Sequence, residues 1–236
     1  MRQEELLARL LYRDGLMLII DKPAGLPVHA GPGGGRNLEQ YLDALRFGLP
    51  HPPALAHRLD RDTSGCLVLG RHRKALSRLG KLFQSGAVEK TYWAVTTGIP
   101  EQSEGTIDLP LRKVSNRTGG WRMVTDPGGK EGGQSAVTEY RVLGTGEGPA
   151  DEKLAWIEAR PKTGRTHQIR VHLGAIGAPL LGDPQYGDKS GRAVPLHLLA
   201  RAVTVPLYPK KPPIVAEAPV PEHMRAALKA CGWREG

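Results

Sequence analysis

The apolar pattern divides the chain into short elements of two periods. "GLMLIIDKPAGLPVH", from Gly15, predicts a buried strand ended by Pro23 and Gly25. "NLEQYLDALRFGLP" places Leu38, Tyr41, Leu42 and Leu45 on one helical face, with Asn37 as N-cap and Gly48 at the stop. "CLVLGRH" predicts a second buried strand, and "KALSRLGKLFQSG" a helix closed by Gly86. In "AVEKTYWAVTTG" the alternation of Val88, Lys90, Tyr92 and Ala94 predicts a strand.

Residues 98–134 are rich in glycine and show no sustained period, which predicts a long loop or extended hairpin. "SAVTEYRVLG" and "KLAWIEARP" are further strands, "TGRTHQIRVHLGAIG" a helix entered at Thr163 or Thr166 and left at Gly177, "LHLLARAVTVPLYP" one or two strands, and "PEHMRAALKACG" a final helix. Runs of strands separated by a few helices predict an α+β fold with a mixed, mainly antiparallel sheet. With 236 residues and no evident linker or internal repeat, a single domain over 1–236 is expected.

Charge adds a partner class. The chain carries a formal +9 with a pI near 9.7, which favours a polyanion. Residues 51–90 hold eight Lys/Arg against three Asp/Glu, whereas residues 1–50 hold six of each. Cys66 and Cys231 lack any C-x-x-C partner, so neither a zinc ribbon nor a disulfide framework is suggested. "MRQEELLARLLYRDG" offers no signal-peptide core, and no apolar run reaches membrane-spanning length. A soluble, cytoplasmic, monomeric protein is the expectation.

Several motifs fail on inspection. "GPGGGR" lacks the strand-turn-helix context of a dinucleotide loop, and in "GDPQYGDKS" Asp188 separates Gly187 from the lysine a phosphate loop requires. His167 and His172 are five apart, the wrong spacing for a shared metal on one helical face, and the H-x-E with P-C-x-x-C pattern of zinc deaminases is missing. No metal and no cofactor are expected.

"HRLDRDTSG", His57 to Gly65, remains. Asp62, Thr63 and Ser64 have the character of turn residues before a strand. Asp60 has two readings. One is a surface ion pair with Arg58 or Arg61. The other is a working carboxylate: guanidinium groups hold a neighbouring carboxylate in its anionic form, which suits a nucleophile or base rather than a general acid.

"HRLDRDTSGCLVLG" resembles the catalytic motif of the RluA family of pseudouridine synthases, H-R-L-D-x-x-T-S-G before an apolar strand. "LIIDKPAGLPVHAG", "EKTYWAV", "ARPKTGRTHQIRVHL", "GDPQYG" and "PLHLLA" resemble further segments in the family's order, from about Leu11 to about Pro209. The resemblance implies a bent sheet with an active-site cleft across it, and isomerisation of uridine to pseudouridine in structured RNA without cofactor or metal. It implies Asp60 as nucleophile or base, Tyr92 against the target uracil, Arg170 as partner of the aspartate, Leu196 lining the base pocket and Arg58 near the flipped nucleotide. His57, Thr63, Arg165 and Gln168 fall among the substrate-binding residues of the same segments. Residues 98–134 would clasp the RNA. With no room before Leu11 for a small N-terminal RNA-binding domain, a stem-loop in ribosomal or transfer RNA is the expected substrate. A catalytically silent RNA-binding domain and an N-glycosidase are the rivals.

Overall fold

The computed structural model describes residues 2–31, 34–115, 120–187 and 194–235. Its elements in chain order are α1 (Gln3–Leu7), β1 (Leu10–Arg13), β2 (Met17–Lys22), a 3-10 helix (Leu38–Leu45), β3 (Ala54–Leu55), β4 (Ser64–Gly70), α2 (Arg73–Gln84), β5 (Glu89–Thr97), β6 (Glu104–Asp108), β7 (Leu111–Ser115), β8 (Trp121–Thr125), β9 (Val137–Glu147), β10 (Lys153–Pro161), α3 (Gln168–Ala175), β11 (Leu198–Val205), β12 (Ile214–Glu217) and α4 (Glu222–Ala230). The fold is mixed α/β, dominated by mostly antiparallel sheet. Among the described residues no helix is long and apolar enough to cross a membrane. Contacts group the chain into two compact units, Met1–Lys90 with Leu199–Pro219 and Thr91–Leu198 with Val220–Gly236.

In the first unit β4 is buried along its whole length and pairs antiparallel with β2 from Gly70↔Met17 to Gly65↔Lys22. The two apolar runs are continuous rather than alternating because both faces of these strands are covered. β4 also meets β11 in parallel at Ser64↔Leu199 and Gly65↔Ala200. β12 adds antiparallel to β11, and β1, which the charged N-terminal pattern concealed, adds to β2.

In the second unit β5, β10, β9 and β6 form an antiparallel sheet. Ile169 and Leu173 of α3 pack on Ala94, Ile157 and Ala159 of that sheet. Of the described residues within 98–134, those of β6 extend the sheet beside β9, and those of β7 and β8 pair antiparallel as a hairpin. That hairpin packs Leu111 and Met123 against Ala136 and Val171.

Three expected boundaries shift. The segment after Asn37 is 3-10 rather than α, and the Asn37 side chain donates to Gly35 O at 3.1 Å instead of capping the helix. α3 begins at Gln168, not at Thr163 or Thr166, because the Gln168 amide oxygen accepts from the Thr163 hydroxyl at 2.7 Å and the Arg165 N–H at 3.0 Å, holding those residues in a turn. His167, ahead of the helix, sits at φ 55°. β11 begins after the Leu196-His197 pair, at Leu198.

Gly65 has φ +106°, and a Cβ there would collide with the Ala200 backbone of β11. Both the left-handed backbone and the strand contact require glycine. Gly65→Ala is expected to destabilise the protein by at least about 2 kcal/mol, lowering Tm by roughly 5 °C or more. An unchanged melting curve by circular dichroism would contradict the strand contact.

Candidate active site

The residues singled out in the sequence fall into two groups, one in each unit, each built by its own unit's packing. In the first unit the chain leaves β3, passes His57 to Leu59 and turns at Asp60–Thr63, where the Thr63 N–H donates to Asp60 O at 3.3 Å. Thr63 and Ser64 are buried at the start of β4, Leu59 is buried beside the turn, and Asp60 is half-buried. Arg58 and Arg61 point outward. The turn therefore spans Asp60 to Thr63 rather than Asp62 to Ser64, since Ser64 already begins β4, and it presents Asp60 at its leading corner. Arg61 Nε faces Gly25 O at 3.4 Å and the Asp62 carboxylate at 3.6 Å.

Two side chains fix this turn. The His57 ring stacks on Phe83 of α2 with centroids 4.5 Å apart, and its Nε2 accepts the Val68 N–H of β4 at 3.0 Å. Accepting that bond requires an unprotonated Nε2. Burial, and secondarily the charge of Lys90, push its pKa down to about 3. Lys22 lies deeper. At the end of β2 and with no exposed surface, its ammonium donates to Pro23 O at 2.8 Å, Leu26 O at 2.9 Å and Arg61 O at 3.0 Å. All three of its protons are thereby used, and the loop after β2 is tied to the turn bearing Asp60. Burial pushes the Lys22 pKa down to about 8, opposed by the negative charges of Asp62, Asp60 and Asp21.

In the second unit Tyr92 lies on β5 opposite Ala159. It packs against an apolar cluster that includes Leu196, Ile169 and Leu198. Leu196 is itself buried, and its carbonyl faces His223 Nε2 of α4 at 3.1 Å. Tyr92 and Leu196 thus share one cluster, whereas Arg165 is exposed and donates to Ser135 O at 3.0 Å. Gln168 is buried, and its amide nitrogen donates to Val137 O and the Thr138 hydroxyl at 2.9 Å each.

Arg170 of α3 is buried and gripped by an aspartate that sequence reasoning did not single out. Its Nε and Nη2 donate to the two carboxylate oxygens of Asp183 at 2.7 and 2.8 Å, a bidentate fork. Asp183 Oδ1 also accepts the N–H groups of Gln185 and Tyr186 at 2.9 and 3.0 Å, and the guanidinium lies 4.9 Å from the Tyr186 ring centroid. Burial opposes ionisation of Asp183, but the Arg170 bond and charge and the two backbone donors outweigh it and hold the carboxyl below the usual range. Among the described residues no group of three His, Cys, Asp or Glu is placed to hold a metal ion.

A family model described as RNA pseudouridylate synthase matches residues 16–175, a span that contains Lys22, the Asp60 turn, Tyr92 and Arg170. The chain belongs to this family. It is of the RluA type, and its members are isomerases acting on RNA. Over 216 residues it is 45% identical to an uncharacterised RNA pseudouridine synthase of Zymomonas mobilis, covering 91% of this chain and 94% of that protein. It is 32% identical to the mitochondrial pseudouridylate synthase RPUSD4 of Xenopus tropicalis, covering 95% and 81%. Among solved structures, human RNA pseudouridylate synthase domain containing 4 superposes with a TM-score of 0.79 at 28% identity, over 98% of this chain and 95% of that one.

For this synthase the Arg170–Asp183 fork yields a test. The Asp183 carboxyl titrates lower in the folded than in the unfolded chain, so its contribution is complete above the unfolded value near 4 and is lost as pH falls below it. Asp183→Asn is expected to cost about 3–5 kcal/mol near neutral pH, because it strands a buried guanidinium, and to flatten the acid limb of the stability–pH curve. Chemical denaturation between pH 3 and 7 checks both; a variant with the wild-type stability and acid limb would contradict the fork's role.

Proposed function

We propose that this pseudouridine synthase modifies a uridine in a stem-loop of ribosomal or transfer RNA, with Asp60 as its catalytic carboxylate. The observation that carries the assignment of Asp60 is the turn itself. Its backbone is pinned by Thr63 N–H and by the Lys22 ammonium, its flanking Leu59 is buried, and a half-buried carboxylate stands at the corner between outward-facing arginines. A carboxylate so held needs no reorganisation to meet an electrophilic carbon.

The reaction breaks the bond between uracil N1 and ribose C1′, turns the base, and joins C5 to C1′; the proton on C5 departs and N1 gains one. Asp60 serves as the nucleophile, or as the base that receives the C5 proton. A uracil stacked in a stem is beyond the reach of a short carboxylate side chain, so the nucleotide is extruded at a cost of a few kcal/mol. Arg58, exposed and two residues before Asp60, fills the vacated stack. Tyr92 supplies a flat ring with a hydroxyl against the uracil, Leu196 the apolar wall, and Arg170 a cation oriented by Asp183. The formal charge of +9 supports a phosphate-rich partner.

Mass spectrometry of ribosomal and transfer RNA treated with wild-type protein and with Asp60→Ala tests this reading. Pseudouridine is expected with the wild type, without released uracil, and at about a thousandth of that rate or less with the variant. Unchanged modification by Asp60→Ala would overturn the assignment of Asp60, and free uracil would favour an N-glycosidase.

A further inference from the structure

One exposed feature of the second unit is not used by this chemistry. Cross-strand pairs of the β7–β8 hairpin put Leu111, Lys113 and Ser115 on the same face as Thr125, Met123 and Trp121. Leu111 and Met123 are buried at one end of that face, while Trp121 at the other end keeps 40% of its surface exposed.

The indole is held in place. It stacks on the His167 ring with centroids 5.2 Å apart and planes 21° from parallel. His167 in turn meets the edge of Tyr186, with its Nδ1 2.8 Å from the Tyr186 hydroxyl. The same hydroxyl accepts the Met123 N–H at 2.9 Å. Gln185 Nε2 anchors the Trp121 carbonyl at 2.7 Å. The Lys113 ammonium lies over the indole ring, 4.7 Å from its centroid, and Arg122, next in the strand, is exposed.

We propose that Trp121, backed by His167, is a stacking platform for a nucleobase of the bound RNA, with Lys113 and Arg122 taking the adjoining phosphates. The inference rests on the family's action on RNA and extends it to a second contact, apart from the target uridine. The ring is already oriented, and a base reaches its π-face as the Lys113 ammonium swings from the indole to the adjoining phosphate. The cations beside it match the charge that always accompanies a base in a strand. A purely structural tryptophan would gain more by burying the exposed part of its ring.

Tryptophan emission of the wild type and of Trp121→Phe is followed during titration with an oligoadenylate of about twelve nucleotides and with inorganic polyphosphate of similar charge. The oligoadenylate is expected to quench a component absent from Trp121→Phe, and polyphosphate, which has no bases, to leave it. Trp121→Ala is expected to weaken oligoadenylate binding about tenfold, whereas Trp121→Phe, which keeps a flat ring, stays within about threefold of the wild type. Equal quenching by polyphosphate, or undiminished oligoadenylate binding by a folded Trp121→Ala, overturns the proposal. Oligoadenylate contains no uridine, so wild-type protein that makes pseudouridine but shows no quenching refutes the platform alone. Quenching by protein that makes none supports the platform and refutes only the catalytic reading.

Discussion

The contact on which the first unit's candidate site depends is the Lys22 ammonium. Three backbone carbonyls from two separate segments converge on it, and each would be costly to bury without a donor. A cation with three protons satisfies all of them at once. The neighbouring negative charges of Asp62, Asp60 and Asp21 oppose the cost of burying it. Burying a charge is expensive in itself; here it welds the end of β2 to the turn carrying Asp60. The second unit uses the same economy with opposite signs, where one buried carboxylate, Asp183, collects a guanidinium fork and two backbone N–H groups.

These two anchors tie residues outside the strands to defined partners. Asp60 lies outside any strand, yet its turn abuts β4, which is buried throughout. Arg170 lies in a short helix whose preceding turn is stitched by the Gln168 amide to Thr163, Arg165, Val137 and Thr138. Precise placement of reactive groups depends on such supporting bonds more than on the reactive groups themselves.

Much of the fold was legible because β2, β4, α2, β9, β10 and α4 carry strong apolar patterns bounded by glycine or proline. What was hidden had physical reasons. β1 lies in a charged stretch whose pattern reads equally as helix. β12 is only four residues long and half exposed. The entry to α3 lies later than the threonines suggest because the side chain of Gln168, five residues after Thr163, occupies the hydroxyl that would otherwise cap the helix. The motif residues were legible as short, ordered strings, but their supports were not. Lys22 is visible in the sequence only as a lysine ending an apolar run, and nothing local announces that the distant Arg61 carbonyl joins those of Pro23 and Leu26 on it. Asp183 sits in "GDPQYG" beside its two backbone donors, but Arg170, its charged partner, lies 13 residues earlier in a different motif.

The central claim is that the carboxylate held on the Lys22-anchored turn drives the isomerisation. Joining C5 to C1′ must expel the C5 hydrogen, so RNA carrying C5-tritiated uridine reports the reaction by tritium released to water. Wild-type protein is expected to release tritium in step with pseudouridine formed. Asp60→Asn, which keeps the shape of the side chain and removes its charge, is expected to release essentially none while remaining folded. Release by a folded Asp60→Asn protein at the wild-type rate would contradict the account.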